Sequence, residues 1–366
     1  MNSRPTIAVV GASVRATAFS LLRDGCQVVA ADLFADADLQ RVCPVTKIAD
    51  YPWGLAPWLA QTQCEGWLYT GALENHPELI DRMAELRPLW GNRSEALRKV
   101  RDPLALQELL RAAELNFPET KLCDGNSPGD GDWLHKTGQG GNGSGVSLFN
   151  PQEIPPDGYW QRRIEGTAGS ALFVGNALMG ITRQLIDEFQ YSGTLAPWEL
   201  PTTVTDELIR LGKMLSTQVG LVGLYGVDFV FDGARVWVIE VNPRTTAAVE
   251  VVERVTGINL LAEHVAAFGI AVENSPQSRV PAAGKTILYA KHPLAVSRSL
   301  SDQLLAATGS LDYCQLADIP NAETQISPGE PILTLLADGS HIDDVATKLR
   351  ARVAELERQL YRDNGE

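Results

Sequence analysis

The stretch Gly226-Val-Asp228-Phe-Val-Phe-Asp232-Gly-Ala-Arg-Val-Trp-Val-Ile-Glu240-Val-Asn242-Pro-Arg244 constrains this chain more than any other part of it. Two β-rich runs, 226–231 and 235–241, flank Asp232-Gly233-Ala234, and an Asp-Gly turn between such runs signals a β-hairpin. Asp228 then lies on one strand and Glu240 on its partner. Side-chain alternation turns Glu240 and Asn242, two residues apart, to the same face. Three oxygen donors can converge there. Mg²⁺ prefers oxygen, takes few protein carboxylates and completes its shell with water and phosphate oxygens, so Asp228, Glu240 and Asn242 are candidate metal ligands. Pro243 ends the strand, and Arg244 beyond it offers a planar fork of donors suited to phosphate. The apolar neighbours of Glu240 and Asn242 belong in a buried sheet, which argues against a solvated hairpin.

The rest of the chain reads as mixed α/β and α+β. Residues 6–10 form a β-rich run, a Gly-Ala-Ser turn follows, and Ala18, Phe19, Leu21 and Leu22 mark an amphipathic helix before a second apolar run, 27–31, that stops at Asp32. With a buried strand at 66–70 and a helix at 76–86, residues 1–93 are expected to form a doubly wound parallel layer. A Pro/Trp-rich connection, 51–58, lies between them. Helical spacing over 94–113 predicts one helix that Asn116-Phe117-Pro118 breaks. Thr205 is expected to cap a helix with Leu208, Leu211 and Leu215 on one face. Beyond 276 short strands at 286–290 and 331–336 lead to a final helix with Ile342, Val345, Leu349, Val353, Leu356 and Leu360 in one stripe.

A chain of 366 residues, 45% of them hydrophobic, can build two or three domain cores. Its formal charge of -14 argues against nucleic-acid and anionic-membrane partners, which need surplus Lys and Arg. Cys26, Cys43, Cys64, Cys123 and Cys314 form no CxxC pair and have no histidines at zinc-ligand spacing, so reduced thiols are expected. No apolar run is long enough for a signal peptide or a membrane span, and a cytoplasmic location is expected.

Lys136 closes the strand Trp-Leu-His-Lys, and Gly138-Gln-Gly140-Gly141-Asn-Gly143-Ser144-Gly145 follows. Glycines let backbone N–H groups approach phosphate oxygens, and the lysine adds a point charge. The Gly-x-x-x-x-Gly-Lys-[Ser/Thr] pattern is absent. The turn at Gly11-Ala-Ser13-Val-Arg15 is followed by Asp32 at the spacing of a dinucleotide reader, but the Gly-x-Gly-x-x-Gly fingerprint is missing.

Asp228, the Glu240-Val-Asn242-Pro-Arg244 run, Lys136 and the glycine loop together resemble the ATP-grasp superfamily. The C-terminal part is similar to the small β-rich ending of its carboxylate-amine ligases, the group of the carbamoyl-phosphate synthetase large chain, purine-biosynthesis enzymes and tyramine–glutamate ligases. The resemblance implies an N-terminal pre-ATP-grasp α/β domain (1–93), an ATP-grasp domain (94–275) with its lid at about 120–166, and a C-terminal β-rich segment plus helix (276–366). It implies ATP with two Mg²⁺ ions on Asp228, Glu240 and Asn242, with Mn²⁺ a substitute. Arg244 and Lys136 would act on the transferred phosphoryl group, and Gly140, Gly141, Gly143 and Ser144 would close over the phosphates. The segment 159–166 would hold adenine near Gln161 and Ile164 and ribose near Glu165. The family's usual phosphate cation is missing after Asp102, where Pro103 stands; Arg101 could replace it. Thr137 stands where the family often has proline, which leaves the loop's register open. Ser13, Arg15 and Arg183, with Gln184 and a turn at Tyr191-Ser192-Gly193, would face the substrates.

The implied reaction converts a carboxylate to an acyl phosphate that a small amine attacks, forming an amide, with an amino acid among the substrates. A carboxylase working through carboxyphosphate and a nucleotide-binding module without turnover remain alternatives. A homodimer is compatible with each of these readings.

Overall fold

The computed structural model describes residues 4–129, 131–138, 143–152, 155–272 and 277–362. Four parallel strands, β1 (Thr6–Gly11), β2 (Gln27–Asp32), β3 (Val45–Lys47) and β4 (Gly66–Tyr69), lie in the order β3-β2-β1-β4. A parallel sheet is buried on both faces, and alternate residues of β1 serve the two sides. Ile7 and Val9 pack with α1 (Arg15–Arg23), while Ala8 and Val10 pack with residues of α3 (Leu55–Gln61) and α4 (Pro77–Leu86), so the layer is doubly wound. The short α2 (Ala37–Gln40) follows β2.

The helix expected over 94–113 is two helices, α5 (Ser94–Arg101) and α6 (Pro103–Ala112). Proline disfavours the helical conformation in the residue before it, so Asp102 is extended. Its carboxylate then accepts from the backbone N–H groups of Leu104 and Ala105 and caps α6. An antiparallel sheet follows, β5 (Thr120–Leu122), β6 (Trp133–Lys136), β7 (Val146–Leu148) and β8 (Tyr159–Arg162), ordered β5-β8-β6-β7.

The central sheet is built from β9 (Thr167–Val174), β10 (Ala177–Asp187), β11 (Gln190–Ala196), β12 (Leu224–Phe231) and β13 (Val236–Asn242). The helices α7 (Thr202–Met214), α8 (Val249–Thr256) and α9 (Leu260–Ala266) accompany it. Two expectations change here. The α7 helix starts behind Pro201, and Thr205 is inside it, its hydroxyl donating back to the Pro201 carbonyl. Tyr191-Ser192-Gly193 is strand, paired to β10, not a turn.

The C-terminal part comprises β14 (Ala282–Tyr289), β15 (Leu294–Ala295), α10 (Arg298–Ala306), β16 (Leu316–Ala317), β17 (Gln325–Ile326), β18 (Pro331–Gly339) and α11 (Ile342–Arg362). Three of these strands extend the central sheet to eight, in the order β13-β12-β9-β10-β11-β14-β18-β16, and β15 pairs with β17 apart from it. Leu172 of β9 packs with Val249 and Val252 of α8, whereas Ala171 and Phe173 pack with α7. Val251 of α8 meets Ala283, and Val345 of α11 lies over Gly284 on the opposite face. The sheet is therefore covered by α8 on one side and by α7 and α11 on the other.

Candidate active site

The β12–β13 hairpin pairs Asp228 with Glu240 and Gly226 with Asn242, so the three expected ligands share one sheet face. The pairing shifts register between Asp228 and Phe229, a bulge of the kind that re-aims side chains beside functional sites. Asn242 Nδ2 donates to Asp228 Oδ2 at 3.0 Å, and Gln184 Nε2 donates to Asp228 Oδ1 at 2.9 Å. Burial first, and then the neighbouring Glu240 carboxylate, push the Asp228 carboxyl up to about 6. A divalent cation between the two acids would relieve that repulsion. Among the described residues no group of three His, Cys, Asp or Glu gathers to hold a metal. Two carboxylates and one amide oxygen remain, a hard and ligand-poor set that fits Mg²⁺.

Three basic groups surround the hairpin. Arg101, at the end of α5, reaches Glu240 Oε1 at 2.5 Å, and its other terminal nitrogen donates to Asn75 Oδ1 at 2.7 Å and to the Gly138 carbonyl at 3.3 Å. Lys136 on β6 donates to Gln161 Oε1 at 2.7 Å. Burial lowers its ammonium to about 8, against the pull of Glu240 and Asp228. Arg244 donates to Glu74 Oε1 from Nε at 2.9 Å and Nη2 at 2.6 Å, and to Asn242 Oδ1 at 3.1 Å. Burial works against the Arg244 charge, but Glu74 and then Glu240 and Asp228 outweigh it and hold the guanidinium above the usual arginine range.

Sequence reasoning missed Glu74. It sits in the short helical turn Leu73–Asn75 after β4, and the available signal was its place beyond the carboxyl end of a parallel strand, where open α/β sheets bind ligands. Several polar atoms around the hairpin are buried without a partner: Glu74 Oε2, Tyr51 Oη, Tyr191 Oη and Thr246 Oγ1. Such atoms cost about 1–3 kcal/mol each when unsatisfied. A bulge in the β10–β11 pairing carries Tyr191 into this region, between the charges of Asp228 and Glu250.

The other expected site residues are placed unevenly. Gln161 is buried, and its side chain is taken by Lys136 and, at 3.3 Å, by Thr120 Oγ1, so it sits at the lysine rather than offering itself to a base. Ile164 is half-buried and Glu165 exposed in the bare connection between β8 and β9. Gly143 has φ +84°, and a Cβ there would meet the Phe189 carbonyl, so the loop lies against the β10–β11 turn; Ser144 beside it is exposed. Gly140 and Gly141 lie outside the described residues. Ser13 is exposed at the entrance to α1.

Two substrate assignments are corrected. Arg15 is 1% exposed and its guanidinium is taken by Glu250 Oε1 at 2.5 Å and Asp318 Oδ1 at 2.9 Å, so it has little left to offer a substrate carboxylate. Arg183 points away from the site. Asp228 is paired with Ser170 and Ser170 with Thr182, so alternation puts Gln184 on the site face and sends Arg183 to the other, where it meets Asp343 of α11 at 3.2 Å.

Residues 100–248 match the ATP-grasp domain family. By sequence the chain is 26% identical over 199 residues to the uncharacterized protein MJ0776 of Methanocaldococcus jannaschii, covering 54% of this chain and 47% of that one. It is 38% identical over 69 residues to the carbamoyl phosphate synthase large chain of Clostridium acetobutylicum, covering 19% of this chain and 6% of that one. The chain thus spans under half the length of the first relative and a small fraction of the second. By structure it resembles an N5-carboxyaminoimidazole ribonucleotide synthetase in its ADP complex (TM-score 0.72, 13% identity, 97% of each chain). It resembles equally the L-amino acid ligase of Bacillus licheniformis (TM-score 0.72, 14% identity, 97% of this chain and 98% of that one). The β12–β13 hairpin lies inside the matched segment, and residues 100–248 of this chain are an ATP-grasp domain.

Proposed function

We propose that this protein is an ATP- and Mg²⁺-dependent ligase that activates a carboxylate, supplied by an amino acid, as an acyl phosphate and joins it to an amine. The observation that carries the reading is the convergence of Asp228, Glu240 and Asn242 on one sheet face with Arg101, Lys136 and Arg244 around them. The names of the sequence and structure relatives, among them an amino acid ligase, support the same class of chemistry.

Asp228, Glu240 and Asn242 would hold the metal, which when bound neutralises charge on the β- and γ-phosphates. Arg101 would exchange Glu240 for a phosphate oxygen. Lys136 and Arg244 would face the transferred group and stabilise the charge spread over its oxygens. A substrate carboxylate oxygen attacks the γ-phosphorus while the bond to the β–γ bridging oxygen breaks, and ADP leaves. An amine must be neutral to attack, so its ammonium form first releases a proton to solvent. Its nitrogen then bonds to the acyl carbon, the carbon–oxygen bond to phosphate breaks, and the departing phosphate takes the second proton. The glycine loop would exclude water from the acyl phosphate.

The test is phosphate release by purified protein given Mg-ATP with pooled amino acids and amines. Release should require both a carboxylate and an amine and should be insensitive to bicarbonate. ADP release that depends on bicarbonate would identify a carboxylase instead, and a failure to bind ATP in the presence of Mg²⁺ would remove the reading altogether.

A further inference from the structure

Asp228 and Glu240 lie side by side on the hairpin, yet groups of different kinds hold them. Glu240 meets a cation, Arg101. Asp228 is held by two neutral amides: Gln184 Nε2 donates to Oδ1 at 2.9 Å, and Asn242 Nδ2 donates to Oδ2 at 3.0 Å. A neutral N–H fixes the direction of a carboxylate without adding a counter-charge. Each carboxylate oxygen has about two lone-pair sites, so one of these bonds apiece leaves room for a cation on either oxygen.

The two amides differ in where they come from. Asn242 belongs to β13, the strand next to Asp228, and it is itself a candidate ligand whose Oδ1 already accepts from Arg244 Nη2 at 3.1 Å. Gln184 belongs to β10, with β9 between it and β12. Asp228 is paired with Ser170 and Ser170 with Thr182, two residues before Gln184 on the same face. Two strand spacings are about 10 Å, so the half-buried Gln184 side chain reaches diagonally over β9 to make its contact. Side-chain length is therefore part of the contact, and an asparagine would carry the same amide one methylene short.

We propose that Gln184 is a positioning residue for the metal site: it holds the Asp228 carboxylate in the direction in which that group binds a divalent cation, and it acts only through Asp228. The assignment rests on the ligase reading, because it concerns the metal site of that reaction. Hydrogen-bond partners of a metal ligand fix its orientation, and losing one typically costs about 10–100-fold in metal affinity. Arg183, the preceding residue, has no such part, since it lies on the other face against Asp343.

Mn²⁺ titrated into the full chain tests the proposal, with free Mn²⁺ read by electron paramagnetic resonance and the chain in molar excess over a non-hydrolysable ATP analogue, so that little analogue is free to bind metal. Gln184→Met keeps the length and removes the donor; Gln184→Asn keeps the donor and removes the length. Each should weaken Mn²⁺ about tenfold or more. Each should leave the Tm, and the affinity for the analogue in the absence of metal, as in wild type. Wild-type Mn²⁺ affinity in Gln184→Met overturns the proposal, as does full affinity in Gln184→Asn or a loss of Mn²⁺ affinity that comes with an equal loss of metal-free analogue binding or with a fall in Tm. The readout is metal binding, so the two readings separate. Gln184-dependent Mn²⁺ binding without substrate-dependent phosphate release sinks the ligase and leaves the positioning role standing. Phosphate release with Mn²⁺ binding indifferent to Gln184 leaves the ligase and removes Gln184 from its metal site, and a wild-type chain that binds no Mn²⁺ removes both the metal site and the role.

Discussion

Glu240 is paired to Arg101 and 42% exposed, while Asp228 beside it is half-buried and tied to Asn242 and Gln184. In the proposed metal site that difference would give them separate parts: Asp228 as a fixed ligand, and Glu240 as the one that must release a cation of the protein to take a metal. Glu240→Gln keeps the shape and removes the charge. It should lower kcat by roughly 100-fold, the size expected when one electrostatic contact to a developing charge is lost, and raise the Mg²⁺ concentration needed for half activity. Phosphate release measured across a Mg²⁺ series checks this; an unchanged Mg²⁺ requirement would take Glu240 out of the metal site. Glu74 and Gln184 belong to the same scale. Each is half of a contact whose other half, Arg244 or Asp228, is the recognisable residue.

The β6–β7 loop meets the β10–β11 turn at Gly143. At Gly143 the backbone has φ +84° and a side-chain carbon would collide with the Phe189 carbonyl. Alanine there faces a left-handed penalty of about 1–2 kcal/mol as well as the collision, and the cheaper outcome is a loop that no longer seats on the turn. Gly143→Ala should raise KM for ATP severalfold with little change in thermal stability, since the loop contributes little to the core; kinetics and thermal denaturation together check it. A similar drop in Tm would mean that the loop supports the fold rather than the nucleotide.

For the whole molecule, the charged contacts of α1 hold the parallel layer to α8 and to the C-terminal strands. Arg15 joins Glu250 and Asp318, and Lys285 of β14 reaches Glu250 at 3.3 Å. Burial opposes the Glu250 charge, but Arg15 and Lys285 prevail and hold its carboxyl well below the usual range. Removing one member of a buried pair leaves the other charge uncompensated, so Arg15→Met should cost about 3–5 kcal/mol in urea denaturation. A cost under about 1 kcal/mol would show that the network is dispensable. Nearby, Asp24 at the end of α1 is 2% exposed, and burial with Glu253 raises its carboxyl from 3.8 to about 7. A folded-state value above the unfolded one gives stability that is complete below the unfolded value and lost as pH rises toward the folded one. Between pH 4 and 7 this group should therefore lower stability by roughly 4 kcal/mol in all. Asp24→Asn should remove that slope and leave a protein more stable than wild type at pH 8; denaturation at pH 5 and pH 8 tests it.

The convergence of Asp228, Glu240 and Asn242 was legible in the sequence because it depends on a turn and a two-residue period, both local. The parallel layer was legible for the same reason, each strand being a short apolar run between turn residues. Asp102-Pro103 also held its message locally, and the helix expected to run through it was an overreach of periodicity. What only the tertiary structure decided involves partners far apart in the chain: Arg101 with Glu240 across 139 residues, Arg244 with Glu74 across 170, and Arg15 with Glu250 across 235. Alternation says that Arg183 and Gln184 face opposite ways but not which of them faces the site. That choice is made by the pairing of β10 with β9 and β12, which no local pattern records. An arginine looks the same in the sequence whether it awaits an anion or is already held by two carboxylates, and the difference lies in the charges that folding brings beside it.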